Sequence, residues 1–282
     1  MLAWVFVVEF VAAAAVPLDA RDGPIRRARL VAPAQSHRDA VRAPLTVGDR
    51  EVGLIGLGGP AADRLLARIA SELPAAITKV EAFWGTDWAR DISIVVAGSD
   101  DQFRDAAGGG PPAQWVDIAA VTVADRVDPE HRVVVGERIV FAPGAAGMSD
   151  SALRIVLTHE LFHYASRADT ALDAPQWLAE GVADFIARPT TPVPAEARSQ
   201  PASVPLDLEL ASPGPQRSLA YDRAWWFARF VADTFGTPKL RAYYLAVCGV
   251  AHADPFNAAR DVLGVDRAGL LARWQQWLVD GA

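Results

Sequence analysis

Apolar positions fall at helical spacing from residue 59 onward. In GPAADRLLARIASELPAAITKVEAFWG, the residues Leu65, Ile69, Leu73, Ile77, Val80 and Phe83 line one face of a helix. Pro74 lies inside this run; it lacks a backbone N–H and predicts a break or kink there. The pattern then changes. RDISIVVAGS (Arg90–Ser99) is short, apolar and β-branched, which predicts a strand, and Gly108–Pro112 reads as a loop. Trp115–Ala124 and Arg132–Pro143 read as two further strands, the first of them the preferred edge of a small sheet.

Helical spacing dominates from Ser149. A first helix is predicted over Ser149–Arg167, with Ser149 or Asp150 as its cap. A second starts near Asp173–Pro175, with proline in its first turn, and stops before Pro189. Residues 189–215 hold seven prolines and predict a long irregular loop, a candidate lid or flap. Tyr221–Phe235 follows as an aromatic-rich helix ended by Gly236 and Pro238. Helices over Pro238–Val247, Pro255–Leu263 and Arg267–Val279 complete the chain, with Asp254 and Asp266 as caps. No internal repeat is evident.

Composition narrows the chemistry. The chain has 282 residues, 51% of them hydrophobic, enough for a sizeable core. A net charge of −7 and the lack of a long basic stripe beyond the N-terminal region argue against a nucleic-acid partner. The single cysteine, Cys248, rules out an internal disulfide and any cysteine-cluster metal site, and reads as a small buried hydrophobe. Any metal must therefore be held by His, Asp or Glu. Leu2–Val16 is apolar except for Glu9 and shorter than the roughly 20 residues a spanning helix needs. Residues 1–20 fit a signal peptide or membrane anchor, with Ala12–Ala15 offering a cleavage site, so a secreted or membrane-anchored extracytoplasmic protein is expected. Arg21, Arg26, Arg27 and Arg29 after the run favour the opposite orientation, with the domain facing the cytoplasm. Residues 21–45, rich in Arg, Ala and Pro, read as a linker.

The densest chemistry lies in THELFHYASRADTALDAPQWLAEGVADF (Thr158–Phe185). His159 and His163 are four apart, which stacks both imidazoles on one helix face, and two neutral imidazoles there can share a zinc ion. Glu160 leans toward the same place and can take a proton from a water activated at the metal. This is the H-E-x-x-H pattern. The plainer reading, two solvated helix histidines, sits poorly with Leu153, Ile155, Val156, Leu157, Leu161 and Phe162 around them. A third ligand is needed, and Glu180 on the next helix is the best candidate; Gly181 beside it permits close helix approach. A solvated carboxylate is the bland alternative for Glu180, set against Trp177, Leu178, Val182 and Phe185. Asp184, one turn on, can accept the free N–H of a ligand histidine, or is simply a helix-end charge before Arg188.

HELFH followed by WLAEGVADF resembles the gluzincin zinc metallopeptidases, above all the peptidase MA-like group. That group pairs an H-E-x-x-H helix with a W-L-x-E-G-x-A helix. The resemblance implies His159, His163 and Glu180 as ligands of one zinc ion, Glu160 as general base, and Asp184 as the carboxylate that orients a ligand histidine. It extends weakly over Gly59–Val279: ISIVVAGSDDQF resembles the family's first strand and turn, and FARFVADTFGTPKLRAYY and DVLGVDRAGLLARWQQWL its C-terminal helices. The implied fold is α+β and zincin-like. A small N-terminal mixed sheet packs on the active-site helix (residues 46–170), and a helical lobe follows (residues 171–282). The implied activity is zinc-dependent hydrolysis of peptide bonds in a peptide or protein substrate lying along an edge strand. A catalytically inactive zinc-binding or cell-envelope interaction protein of the same fold is the alternative.

Gluzincins often place a Tyr or His as oxyanion donor. Tyr221, read as opening the helix after the proline-rich loop, is the candidate here, with an aromatic role beside Trp225 and Trp226 as its alternative. His131 and His252 are weaker candidates. Trp225, Trp226, Trp274 and Trp277 read first as core.

Overall fold

The computed structural model describes residues 40–41, 44–198, 202–212 and 214–280. The expected signal peptide or anchor, and the linker as far as residue 39, lie outside the described residues. The strands are β1 (Ala40–Val41), β2 (Leu45–Val47), β3 (Arg50–Gly56), β4 (Asp91–Val96), β5 (Ala120–Val123), β6 (Arg126–Asp128), β7 (Val133–Val135) and β8 (Arg138–Phe141). The helices are α1 (Pro60–Trp84), α2 (Asp100–Ala106), α3 (Asp150–Ser166), α4 (Gln176–Ala187), α5 (Ala195–Arg198), α6 (Asp207–Leu210), α7 (Pro215–Phe235), α8 (Thr237–Cys248), α9 (Pro255–Ala258) and α10 (Arg267–Asp280). The chain is a mixed α+β protein: a small N-terminal mixed sheet followed by a helical C-terminal part.

The main sheet runs β1-β3-β4-β8-β5, with β2 also paired to β3. Its centre is parallel: Val52 opposes Ile92, and Ile94 opposes Ile139. Its last strand is antiparallel, Thr122 opposing Ile139. Thus β5 is an edge strand among the described residues, as expected for this segment. The central strands bury Val52, Leu54, Ile92, Ile94, Val96, Ile139, Val140 and Phe141, which explains their β-branched, apolar content. β6 and β7 form a separate antiparallel hairpin.

Several elements depart from the sequence reading. β3 was not anticipated, because Arg50, Glu51 and Gly53 interrupt its apolar pattern. Arg50 is nonetheless fully buried. Its guanidinium bonds Glu81 Oε1 at 2.9 and 3.1 Å and the carbonyls of Thr86, Trp88 and Ala89, and lies 3.4 Å over the Trp88 ring. Residues 40–41 and Leu45, read as linker, pair with β3. α1 runs unbroken for 25 residues through Pro74, which sits on its exposed face. Arg132–Pro143 is not one strand: Gly136, with φ of 67°, turns the chain between β7 and β8. Trp115–Ala124 is a strand only in its second half; Pro112–Trp115 is a 3₁₀ turn.

The described residues of the proline-rich stretch are held to the helical part. It contains α5 and α6 and buries Val193, Ala197 and Leu210. The Asp207 carboxylate accepts from Trp177 N at 2.8 Å, at the start of α4, and Arg229 Nη1 donates to Thr191 O at 2.6 Å. α7 begins at Pro215, so Tyr221 does not open it; Tyr221 lies in its second turn, 8% exposed. The Asp254 and Asp266 carboxylates accept from Phe256 N and Gly269 N at 2.9 and 2.8 Å, as capping residues do. No helix among the described residues is long and apolar enough to cross a membrane.

Candidate metal centre

α3 is apolar nearly all round, and every residue from Val156 to Ser166 is buried. Ser149 caps it, its Oγ accepting from Ala152 N at 3.2 Å. Tyr164 ties it to the sheet, its hydroxyl donating to Asp91 O at 3.0 Å. Arg68 and Arg154 pair with Asp150 and Glu72, so α1 braces it from outside. These contacts fix the helix roll, and His159, Glu160 and His163 face α4 and β5.

α4 lies close to α7 at Gly181. A Cβ on Gly181 would stand 2.4 Å from Ala224 O, so only glycine permits this approach. Glu180, beside it, is directed at α3. The ligand atoms of His159, His163 and Glu180 all lie within 4.8 Å of one another, and the three can hold a metal ion. The two Nε2 atoms are 3.0 Å apart; Glu180 Oε2 is 3.3 Å from His159 Nε2, and Glu180 Oε1 is 3.7 Å from His163 Nε2. His159 is 0% exposed, Glu180 3% and His163 7%.

Three donor groups converging in a dry place call for a cation. Glu180 Oε2 is buried and makes no hydrogen bond, although buried carboxylate oxygens usually do. Without an ion, burial and the neighbouring charges shift the three groups in different directions. Burial disfavours charge on His159, but the Asp184 and Glu180 carboxylates outweigh it and lift its pKa well above the usual range. Burial, then His159, then Arg167 push His163 well below it. Burial raises Glu180 to about 7 against the pull of His159. The donor types, two imidazoles and a carboxylate, suit zinc.

His159 Nδ1 lies 3.1 Å from Asp184 Oδ1, which leaves Nε2 as its inward-facing ligand atom. Burial works to raise Asp184, but His159 and then Arg188 hold its pKa below the ordinary value. Glu160 is fully buried. The Thr122 hydroxyl lies 2.8 Å from Glu160 Oε2 and 3.0 Å from Glu160 O, and tethers the carboxylate to the edge strand β5. Thr122 escaped the sequence reading because strand register decides which β5 side chain meets α3. Arg188 and Asp222, which continue the chain of contacts behind Asp184, were also missed as parts of the site.

The other candidates lie elsewhere. His131 is exposed and pairs with Asp128 at 3.0 Å. His252 sits after α8, its Nδ1 3.2 Å from Gly249 O. Neither joins the metal cluster. Trp274 stacks on Trp277 at 5.4 Å, and both are buried with Trp225 and Trp226, as core residues are. Cys248 is fully buried, and burial raises its thiol pKa.

No family of known proteins and no curated protein matches the chain. Among solved structures it is similar to a two-domain M1 zinc metallopeptidase mutant bound to L-arginine. That likeness has a TM-score of 0.42 and 13% identity, and covers 84% of this chain and 50% of that one. The chain thus spans about half the length of that protein. A superposition this loose leaves fold and function to be argued from the residues themselves.

Proposed function

We propose that the chain is a zinc-dependent metallopeptidase of gluzincin type, with a zincin-like fold, that hydrolyses peptide bonds in a peptide or protein substrate. His159, His163 and Glu180 would hold one zinc ion. Bound there, zinc supplies Lewis acidity: it brings the pKa of a water down to about 7 and polarises a carbonyl. One observation carries the reading. Three protein donors converge where they can hold a metal ion, a number that would leave zinc a position for water, and the residue next to His159 is a fully buried carboxylate, Glu160, bonded by Thr122. A closed structural site takes a fourth protein ligand instead.

In this reading Glu160 removes a proton from the attacking water and delivers it to the leaving amine. Asp184 holds the His159 ring through Nδ1. The substrate lies along the free edge of β5, main chain to main chain, which brings its scissile bond past Thr122 and Glu160. Tyr221, on the helix that packs against α4, is the proposed oxyanion donor. Near-complete burial of the cluster also suits a protein that only holds zinc, and this is the second reading.

The test is digestion of a mixed peptide pool by zinc-loaded protein, read by mass spectrometry, with Glu160→Gln alongside. Cleavage by the native chain and a loss of at least about 1,000-fold in Glu160→Gln, with its zinc retained, is the expected result. Equal cleavage by both would remove Glu160 from the mechanism. No cleavage by either, with zinc bound, would favour the zinc-holding protein. Tyr221→Phe in the same assay is expected to lower kcat by about 100-fold with KM little changed.

A further inference from the structure

Behind the proposed metal ligands a chain of charged groups, buried at Asp184 and half-buried at Arg188 and Asp222, reaches a different helix. Asp184 uses both carboxylate oxygens: Oδ1 lies 3.1 Å from His159 Nδ1, and Oδ2 accepts from Arg188 Nη1 at 3.1 Å. Arg188, at the C-terminal cap of α4, turns back one helical turn to make that bond. Its other terminal nitrogen, Nη2, donates to Asp222 Oδ1 on α7 at 2.9 Å. The guanidinium carbon lies over the Trp225 ring, 3.8 Å from its centroid. The side chains are 16% exposed at Arg188, 12% at Asp184 and 14% at Asp222, so water competes little for these bonds.

We propose that Arg188 is a positioning residue for the metal site: through Asp184 it fixes the orientation of the His159 imidazole, and through Asp222 and Trp225 it ties that orientation to α7. The inference rests on the reading of His159, His163 and Glu180 as zinc ligands. A carboxylate held at one oxygen can rotate about its last bond, and the imidazole it orients rotates with it. Bonding at both oxygens removes that freedom. The planar fork of arginine allows this because two nitrogens face two carboxylates while the guanidinium stays over the tryptophan ring. Lysine in its place offers one nitrogen and no flat face. The E-x-x-x-D-x-x-x-R spacing of Glu180, Asp184 and Arg188 places a ligand, its neighbour's support and the holder of that support on successive turns of one helix.

The test uses the full chain with Arg188→Met, Arg188→Lys and Asp222→Asn. Methionine keeps length and packing on Trp225 while removing both bonds. Three quantities are read: zinc affinity by competition with a chromophoric chelator, the His159 Nδ1–H proton resonance of the zinc-loaded chain, and the melting temperature of the metal-free chain. Arg188→Met is expected to weaken zinc binding about 10- to 100-fold, the range for loss of such a supporting partner. It is also expected to shift the Nδ1–H resonance and speed its exchange. Arg188→Lys and Asp222→Asn should fall between it and the native chain. Native affinity and an unmoved resonance in Arg188→Met would overturn the inference while leaving the metal site intact. Weaker binding with an unmoved resonance, in step with a lower melting temperature, would assign Arg188 to stability alone and also overturn it. A native chain that takes up no zinc would overturn the metal reading itself, and this inference with it.

Discussion

Burial shifts an ionisable side chain outside the metal cluster as well, at Glu137 between β7 and β8. Burial raises its carboxyl from 4.5 to about 8, with Arg167 offsetting part of the shift. Its Oε1 is buried without a hydrogen bond. The folded chain therefore prefers the neutral acid. The stability this preference contributes is complete below about pH 4.5, declines as pH rises, and is lost above about pH 8. Glu137→Gln supplies a neutral side chain of the same shape. It should leave the urea midpoint at pH 4 nearly unchanged and raise stability at pH 8 by on the order of 4 kcal/mol. Equal midpoints for the two proteins at pH 8 would contradict this account. At this scale, the residues whose chemistry is written in local spacing were legible. His159 and His163 share a helix face by their spacing of four, Glu160 adjoins the first of them, and Glu180 and Asp184 follow on the next helix. Thr122, Asp222 and the bonding of Arg188 were not, because each depends on which residue a distant element presents.

Elements place the site through close approach. α4 must lie near α7 for Glu180 to point at α3, and Gly181 is where the two helices meet. Gly181→Ala would set a Cβ 2.4 Å from Ala224 O and 2.7 Å from its carbonyl carbon, both rigid backbone atoms. The helices must then separate. A destabilisation of about 1–3 kcal/mol is expected, with zinc affinity lowered beyond what the stability loss alone would cause, because Glu180 moves with its helix. Calorimetry with a zinc titration checks both; an unchanged affinity would show that Glu180 tolerates the displacement. Long elements were readable for the same physical reason that makes them stable: α1 and α10 repeat an apolar stripe toward one core, and α3 is an apolar run long enough to be a buried helix. β3 was hidden because its first residue is a buried arginine whose partners lie 31 to 39 residues away. The start of α7 was hidden by prolines that read as loop, although Pro215 sits where proline suits a helix, in its first turn.

The whole molecule encloses the cluster in aromatic core. Phe162, next to His163, packs edge-on against Phe83, Trp84 and Tyr244 at 6.0, 5.7 and 5.5 Å, and so joins α1, α3 and α8 behind the histidines. An ion bound inside such a core binds the folded chain and not the unfolded one, so it must stabilise the whole fold. At free zinc about 1,000 times the dissociation constant the gain is about 4 kcal/mol, or roughly 10 °C in Tm for a chain of this size. Removing zinc with a chelator should reverse that gain, and zinc should not shift the Tm of His163→Ala. A Tm indifferent to zinc in the native chain would count against an ion in this core. The mixed α+β class and the order of sheet half and helical half could be read from periodicity alone. The sheet order could not, since β8 lies between β4 and β5 by pairings that leave no local trace.

The central claim is that His159, His163 and Glu180 hold a single ion, and native mass spectrometry after equilibration with limiting zinc tests it most directly. The account predicts one zinc per chain in the native protein and in Glu160→Gln, and none in His163→Ala or Glu180→Gln at the same free zinc. A native chain without zinc, or an ion retained unchanged by His163→Ala, would contradict it.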